Sequence, residues 1–401
     1  MKRVLIFSLT YHPFIGGAEV AVKEITDRIK SEDISFDMIT LRFDSTLSRV
    51  EKIGNVMVHR IGFSTRNPSI EELRTFPLHL NKLYFQFFSV FKALNLHRKH
   101  FYDGIWAIMA HSTGVPAGIF KTLHPEVEYL LTLQEGDPID HIKKTMRPLY
   151  PLFVRGFTKA NFVQAISYYL GKWAREMNFD GPIEVIPNAV DTKHFSKEYS
   201  ESELNELKQK LGKKENDVFL ITTSRLVKKN AIDDVIKSLK HLPDTIHFLV
   251  LGTGTDMTKL KKLTRDERVE ERVRFLGQID HSEIPKYLRI SDVFIRPSLS
   301  EGMGNSFIEA MAAGLPVIAT QEGGIADFLF DPDRNPDKKP TGRAVDTCDP
   351  KSIASAVKLY LDDTEKTQSI IKNARELAFV KYDWDLIAKN MKEKVFDKIL
   401  V

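Results

Sequence analysis

Two carboxylates stand eight positions apart in the stretch EGMGNSFIEAMAAGLPVIAT, residues 301–320. Glu301 precedes a glycine-rich turn, and Glu309 follows it on a helix of small residues. Ser306 and Glu309 form S-x-x-E, the pattern of a capping box, with Glu309 in the first turn reaching back to the Ser306 amide. A second chemistry fits the same residues. A cap needs neither Glu301 nor the bare backbone that Gly302 and Gly304 leave before the helix. A phosphorylated ligand bearing a diol would use all of them: carboxylates accept from sugar hydroxyls, and helix-start amides meet a phosphate or a sugar ring.

Other segments offer matching groups. In TTSRLVKKNAIDDVI, Arg225 and Lys229 lie where a strand ends and a helix begins. A forked guanidinium and a point-charge ammonium suit a diphosphate. Lys228 competes for the lysine role, and a solvated basic turn is the bland alternative. In TYHPFIGGAEV, Gly16 and Gly17 let backbone N–H groups approach an anion at a helix start, or merely make the turn. No G-x-G-x-x-G pattern follows a strand. His111, in IMAHSTGVPAG, stands just past a strand, as do Glu135 and Asp137 in LQEGDP. The last two suit an acceptor hydroxyl or a turn.

These groups need elements to hold them. Short β-branched runs alternate with amphipathic stretches such as AEVAVKEITDRI. The alternation predicts parallel sheets with helices on both faces. The strand series RVLIFSL, FDMITL, GIWAIM, EYLLTL, NFVQAI and IEVIPN ends near residue 188. A charged segment follows, and the pattern restarts with VFLITTS, HFLVLG, RVRFLG, DVFIRPS and PVIAT. The expectation is an α/β protein of two Rossmann-like, doubly wound domains, residues 1–195 and 196–380. A final helix in 381–401 would pack back on the first. Two such sheets turn their strand ends toward a shared cleft, where ligands of open α/β sheets bind.

The totals bound the rest. With 401 residues, 42% hydrophobic and 28% charged, the chain has the composition of a globular protein with a large core. Cys348 is the single cysteine, which excludes an internal disulfide and a cysteine-based metal cluster and suits a reducing, cytoplasmic setting. A net charge of +4 argues against nucleic acid. The apolar run at residues 4–9 is short for a signal sequence and reads as a first strand. No stretch approaches the ~18 apolar residues of a membrane span.

Taken together, the motifs resemble those of retaining glycosyltransferase family 4, glycosyl transferases group 1, of the GT-B fold. The family context E-G-F-G-x-x-x-x-E-A-M-A-x-G-x-P-V-x-x-T is matched by Glu301, Gly302, Gly304, Glu309, Ala310, Met311, Ala312, Gly314, Pro316, Val317 and Thr320. SRLVKKN, VIPNAVD, HPFIGGAE and GIWAIMAHS are similar to further family motifs, in the family's order from residue 10 to 324. Met303 stands where phenylalanine is usual, Ser224 and Ala189 where glycine is common, and Asn230 where the family lysine often lies.

The resemblance implies a hexosyltransferase that uses a UDP- or GDP-linked sugar and retains anomeric configuration without a metal or other cofactor. Arg225 and Lys229 would hold the diphosphate, with Gly16 and Gly17 joining from the first domain. Glu309 would bind the ribose. Glu301 and the amides of Gly302, Met303, Gly304, Asn305 and Ser306 would grip the sugar. His111 would lie near the transferred sugar, with Glu301 the other catalytic candidate. The departing phosphate would help take the acceptor's proton. The acceptor, a glycan or a lipid-linked sugar, would belong to the first domain. There the segments 81–102 and 141–160 are basic, aromatic and free of acidic residues. Such a surface suits peripheral contact with the inner face of a membrane, or else one buried helix and a solvated loop. A nucleotide-sugar epimerase and a non-catalytic sugar-nucleotide-binding protein are the competing readings.

Overall fold

A computed structural model of the chain describes residues 1–400, except 15 and 69–71 and the side chain of Arg74. The chain divides into two units. Residues 1–188 and 384–401 form the first, and residues 189–383 the second.

In the first unit the apolar runs become an eight-stranded sheet. Its strands are β1 (Lys2–Phe7), β2 (Ile34–Leu41), β3 (Val50–Ile53), β4 (Val56–Ile61), β5 (Gly104–Ile108), β6 (Glu128–Leu133), β7 (Phe162–Ala165) and β8 (Ile183–Val185). The spatial order is β3-β4-β2-β1-β5-β6-β7-β8. All neighbours are parallel except β3 and β4, which form an antiparallel hairpin. Every residue of β5 is buried, as a strand covered on both faces requires. The hairpin is absent from the sequence reading, although Gly54-Asn55 between two short apolar runs is a recognised hairpin signal. The helical residues from Trp384 onward belong to this unit. Phe396 packs on Phe36 and Trp106, with ring centroids 5.9 and 5.2 Å away. No described helix is long and apolar enough to cross a membrane.

The second unit has six strands: β9 (Val218–Thr223), β10 (Ile246–Leu251), β11 (Val273–Gly277), β12 (Val293–Arg296), β13 (Val317–Ala319) and β14 (Arg343–Ala344). They lie in the order β11-β10-β9-β12-β13-β14, all parallel. This is the 3-2-1-4-5-6 order of the Rossmann fold. Leu220, Phe248, Val250, Ile295 and Ile318 build its core with residues of the covering helices, among them Val235 and Val357. The strand order switches sides between β1 and β5 in the first unit and between β9 and β12 in the second. Chain leaving those strands enters the switch-point crevice, where open α/β sheets take ligands. Gly16, Gly17 and His111 follow the first pair; Arg225, Lys229, Glu301 and Glu309 follow the second.

Candidate functional site

In the second unit β12 ends in an arginine, and the site is built around it. The Arg296 guanidinium is enclosed. Its Nη2 lies 3.1 Å from Oε1 of Glu301. Its Nη1 donates to Ser306 Oγ at 2.8 Å and to the Thr223 carbonyl at 3.3 Å. The plane sits 4.2 Å over the Phe307 ring. Burial pulls its pKa down, a cost the Glu301 charge partly offsets. Glu301 therefore has a structural partner that the sequence reading did not give it. Arg296 was legible as a lone charge inside the apolar run DVFIRPS, but it carries no motif.

Glu301 is buried, with Ser298 Oγ 3.4 Å from Oε1. Its other oxygen, Oε2, faces Lys229 Nζ at 3.9 Å. The Leu299 amide donates to the Lys229 carbonyl at 2.7 Å, tying the two loops together. Lys228 is exposed and lines a different cavity with Asp233, Asp234 and Lys237. Of the two lysines, only Lys229 approaches Glu301. Asn230, where the family lysine often lies, is buried and closes the turn by donating to the Arg225 carbonyl at 2.6 Å.

The capping box is not formed. The helix runs Asn305–Ala313, its N-cap is Gly304, and no side chain caps it. Ser306 is already helical and its hydroxyl serves Arg296, while Glu309 stands in the second turn, too far along to reach back. Gly304 takes φ +90°, and a Cβ there would sit 2.6 Å from Phe307 and 2.8 Å from Arg296. Glycine is needed for close approach as well as for the turn. Gly323, at φ +61°, lets a second loop close over the Glu301 backbone, where the Gly324 amide donates to the Glu301 carbonyl at 2.9 Å. Met303 is buried, so only its backbone is available to a ligand.

Arg225, Ser306 and Glu309 meet in one cavity of about 300 Å³, completed by Thr253, Gln278 and Ile279 at the ends of β10 and β11. Arg225 is exposed and Asn305 half-buried. Glu309 contacts His281 Nε2 at 3.4 Å, a partner not anticipated from sequence, and that bond raises the His281 pKa. A carboxylate beside a guanidinium in a cavity walled by strand ends is equipped to take a polyhydroxyl group and an anion together.

In the first unit, Gly16 caps the helix Gly17–Arg28, and both glycines are exposed. Ile15 of the same motif lies outside the described residues. Glu19, in the first turn, is buried and accepts from the Thr10 hydroxyl. Its Oε2 would stand 2.5 Å from a Cβ at Gly16. This helix start already faces one carboxylate, which its dipole stabilises.

His111 follows Met109, whose φ is +66°, and lies in a π-helical turn, Ala110–Gly114. Its backbone N and its Nδ1 both lie 3.4 Å from Glu135 Oε1, and Ser112 Oγ is 3.1 Å from Nε2. The imidazole is 30% exposed but the Glu135 side chain is 0% exposed. A sealed carboxylate cannot meet an acceptor directly, so Glu135 moves from acceptor candidate to anchor of the His111 loop. Asp137 is exposed. Among the described residues, His97, His124 and Glu126 have the spacing of a metal triad. His97 Nδ1 accepts the Tyr102 amide at 3.1 Å. In the neutral ring that leaves the proton on the other nitrogen and works against ligation there.

Residues 204–377 match the family model described as Glycosyl transferases group 1, and that stretch lies wholly in the second unit. Over those residues the second unit is similar to glycosyl transferases group 1. The Arg296–Glu301 pair and the Arg225–Glu309 cavity lie within the matched stretch. Among curated relatives, a GDP-mannose-dependent alpha-(1-6)-phosphatidylinositol monomannoside mannosyltransferase of Mycobacterium tuberculosis is 28% identical over 235 residues, 56% of this chain and 58% of its own. An N-acetyl-alpha-D-glucosaminyl L-malate synthase of Bacillus anthracis is 24% identical over 98% of the chain and 97% of its own. A sucrose-phosphate synthase of Thermosynechococcus elongatus superposes with a TM-score of 0.79 at 20% identity, covering 100% of this chain and 99% of that one. The two parallel-sheet units have the GT-B-type fold.

Proposed function

We propose that the chain transfers a hexosyl group from a nucleotide-sugar donor to a glycan or lipid-linked acceptor, with retention of anomeric configuration. The observation that carries this reading is the pairing of Arg225 and Glu309 in one cavity, with Glu301 and Lys229 behind the same helix start. Glu309 binds the ribose hydroxyls. Arg225 and Lys229 hold the diphosphate and stabilise the charge that develops on it as the sugar departs. Two such cations supply what a divalent metal would supply to the same leaving group, and we read the reaction as metal-independent. Glu301 offers Oε2 to a sugar hydroxyl, since Oε1 is taken by Arg296 and Ser298. His111 is the candidate of the first unit for the transfer step, and the Gly16–Gly17 amides are its anion-binding candidate. UDP or GDP is the expected nucleotide; the mannosyltransferase relative takes GDP-mannose by its name. The relatives' named products point to different acceptors, one a phosphatidylinositol mannoside and one malate. An epimerase is disfavoured by the transferase names of the relatives, and a degenerate binding protein by the intact Arg225, Glu301 and Glu309.

The test is a thermal-shift panel of UDP, GDP and ADP with their common sugar conjugates. A ligand held only by the folded state raises the Tm by mass action. One nucleotide should shift the wild type and not Arg225→Ala. No shift with any of them, or an equal shift in Arg225→Ala, sinks the assignment.

A further inference from the structure

The helix Asn81–His100 of the first unit carries two apolar faces. One is ordinary: Phe85, Val90, Ala93 and Leu96 point into the core. The other looks outward, with Leu83, Phe87, Phe88 and Phe91 exposed by 55, 37, 49 and 66%. A surface helix normally turns polar residues to water. Nor are these scattered single residues, which would need no explanation. Their rings join in a ladder: Phe63 to Tyr84 at 5.3 Å, Tyr84 stacked on Phe88 at 4.2 Å, and Phe88 to Phe91 at 6.0 Å. The helix's own charges have one sign. The helix has no aspartate or glutamate, and Lys92, Arg98 and Lys99 flank its outward face. The helix Val115–Leu123 packs between this helix and the helix Tyr150–Thr158. Arg155 on that last helix, and Lys144 and Arg147 before it, are exposed, although Asp140 stands one turn before Lys144.

We propose that this face docks the protein on an anionic lipid surface, with the aromatic ladder entering the headgroup boundary and the basic rim meeting lipid phosphates. Aromatic rings prefer that boundary, and each lysine or arginine adds attraction to anionic lipid. A second copy of the chain is the weaker occupant. Two-fold pairing would set one basic rim against another, whereas anionic lipid satisfies both the rings and the charge. The surface rests on the lipid-linked branch of the proposed acceptor for its purpose, but not for its test.

The test is co-sedimentation of the full chain with phosphatidylcholine vesicles, with and without roughly one-third phosphatidylglycerol. The wild type should bind the anionic vesicles, lose binding in high salt, and bind neutral vesicles far less. Phe87→Ser with Phe91→Ser should weaken binding about tenfold or more, because partitioning scales with buried apolar area. That variant should keep its nucleotide-induced thermal shift, which shows it folded. If it does not fold, Lys92→Glu with Lys99→Glu should lose binding to anionic vesicles. Wild type that stays in the supernatant, or variants that bind as wild type does, overturn the proposal. So does a wild-type dimer in solution that the phenylalanine substitutions dissociate, because a second copy then owns the face. Absence of any nucleotide shift with vesicle binding intact would instead sink the transferase reading and leave this one standing.

Discussion

Replacing Arg296 by methionine probes the buried centre of the second unit. The change keeps most of the side-chain volume and removes the fork. Glu301 would keep Ser298 Oγ at 3.4 Å and Lys229 Nζ at 3.9 Å, and lose its nearest cation at 3.1 Å. The two side chains are only 7% and 11% exposed, so the stranded carboxylate cannot turn to water. Removing one partner of a buried pair costs about 3–5 kcal/mol. The remaining Lys229 contact places this case near the lower end, about 3 kcal/mol. In a domain of this size each kcal/mol moves the Tm by roughly 2–4 °C, so the midpoint should fall by about 6–12 °C. Glu301→Gln alone strands the guanidinium instead, with a similar loss. Removing both charges strands neither member of this pair, and only the longer Lys229 contact with Glu301 is lost. Arg296→Met with Glu301→Gln should therefore be more stable than the sum of the single losses by about 2 kcal/mol or more. Urea and thermal melts of the four proteins measure this cycle. A Tm for Arg296→Met within about 2 °C of wild type, or strict additivity in the double variant, would refute the reasoning that a buried ion pair organises the site.

Two further outcomes are expected. Lys229→Ala should weaken nucleoside diphosphate binding by about 10–100-fold, the worth of one charge-assisted hydrogen bond, while Lys228→Ala changes it little. Calorimetric titration decides, and the reverse ranking would transfer the role to Lys228. The bond to Glu309 raises the His281 pKa above its ordinary 6.5. Its stabilising contribution is complete below 6.5 and is lost as pH rises through the raised value. Because protonated His281 competes for the carboxylate, donor affinity should improve over that same rise, and His281→Gln should flatten the profile.

The chain's own pattern determined the two parallel sheets. Strands buried on both faces must be continuous apolar runs, and runs such as GIWAIM and VFLITTS declare themselves without neighbours. It also pointed to the candidates that follow strand ends, although a turn, a cap or a solvated basic loop would use the same residue types. The β3–β4 hairpin did not stand out, since β3 is four residues long with no buried position and Gly54-Asn55 was its only strong mark. Nor did it show which partners the candidates would find. Ser306-x-x-Glu309 satisfies the local rule for a capping box, but the helix begins two residues earlier than that box requires, with Gly304 as N-cap and Asn305 its first residue, and Gly304 passes close to Phe307 and Arg296. Glu135 looked like a ligand group by position and proves to be sealed behind His111. Glu301 seemed to lack a structural partner until β12 placed Arg296 beside it. These outcomes share one physical cause. Local sequence sets backbone preference and burial period within a few residues, whereas the partner of a buried charge comes from another strand or loop. Only the packed sheet brings that partner within 3 to 4 Å, where desolvation makes the pairing decisive.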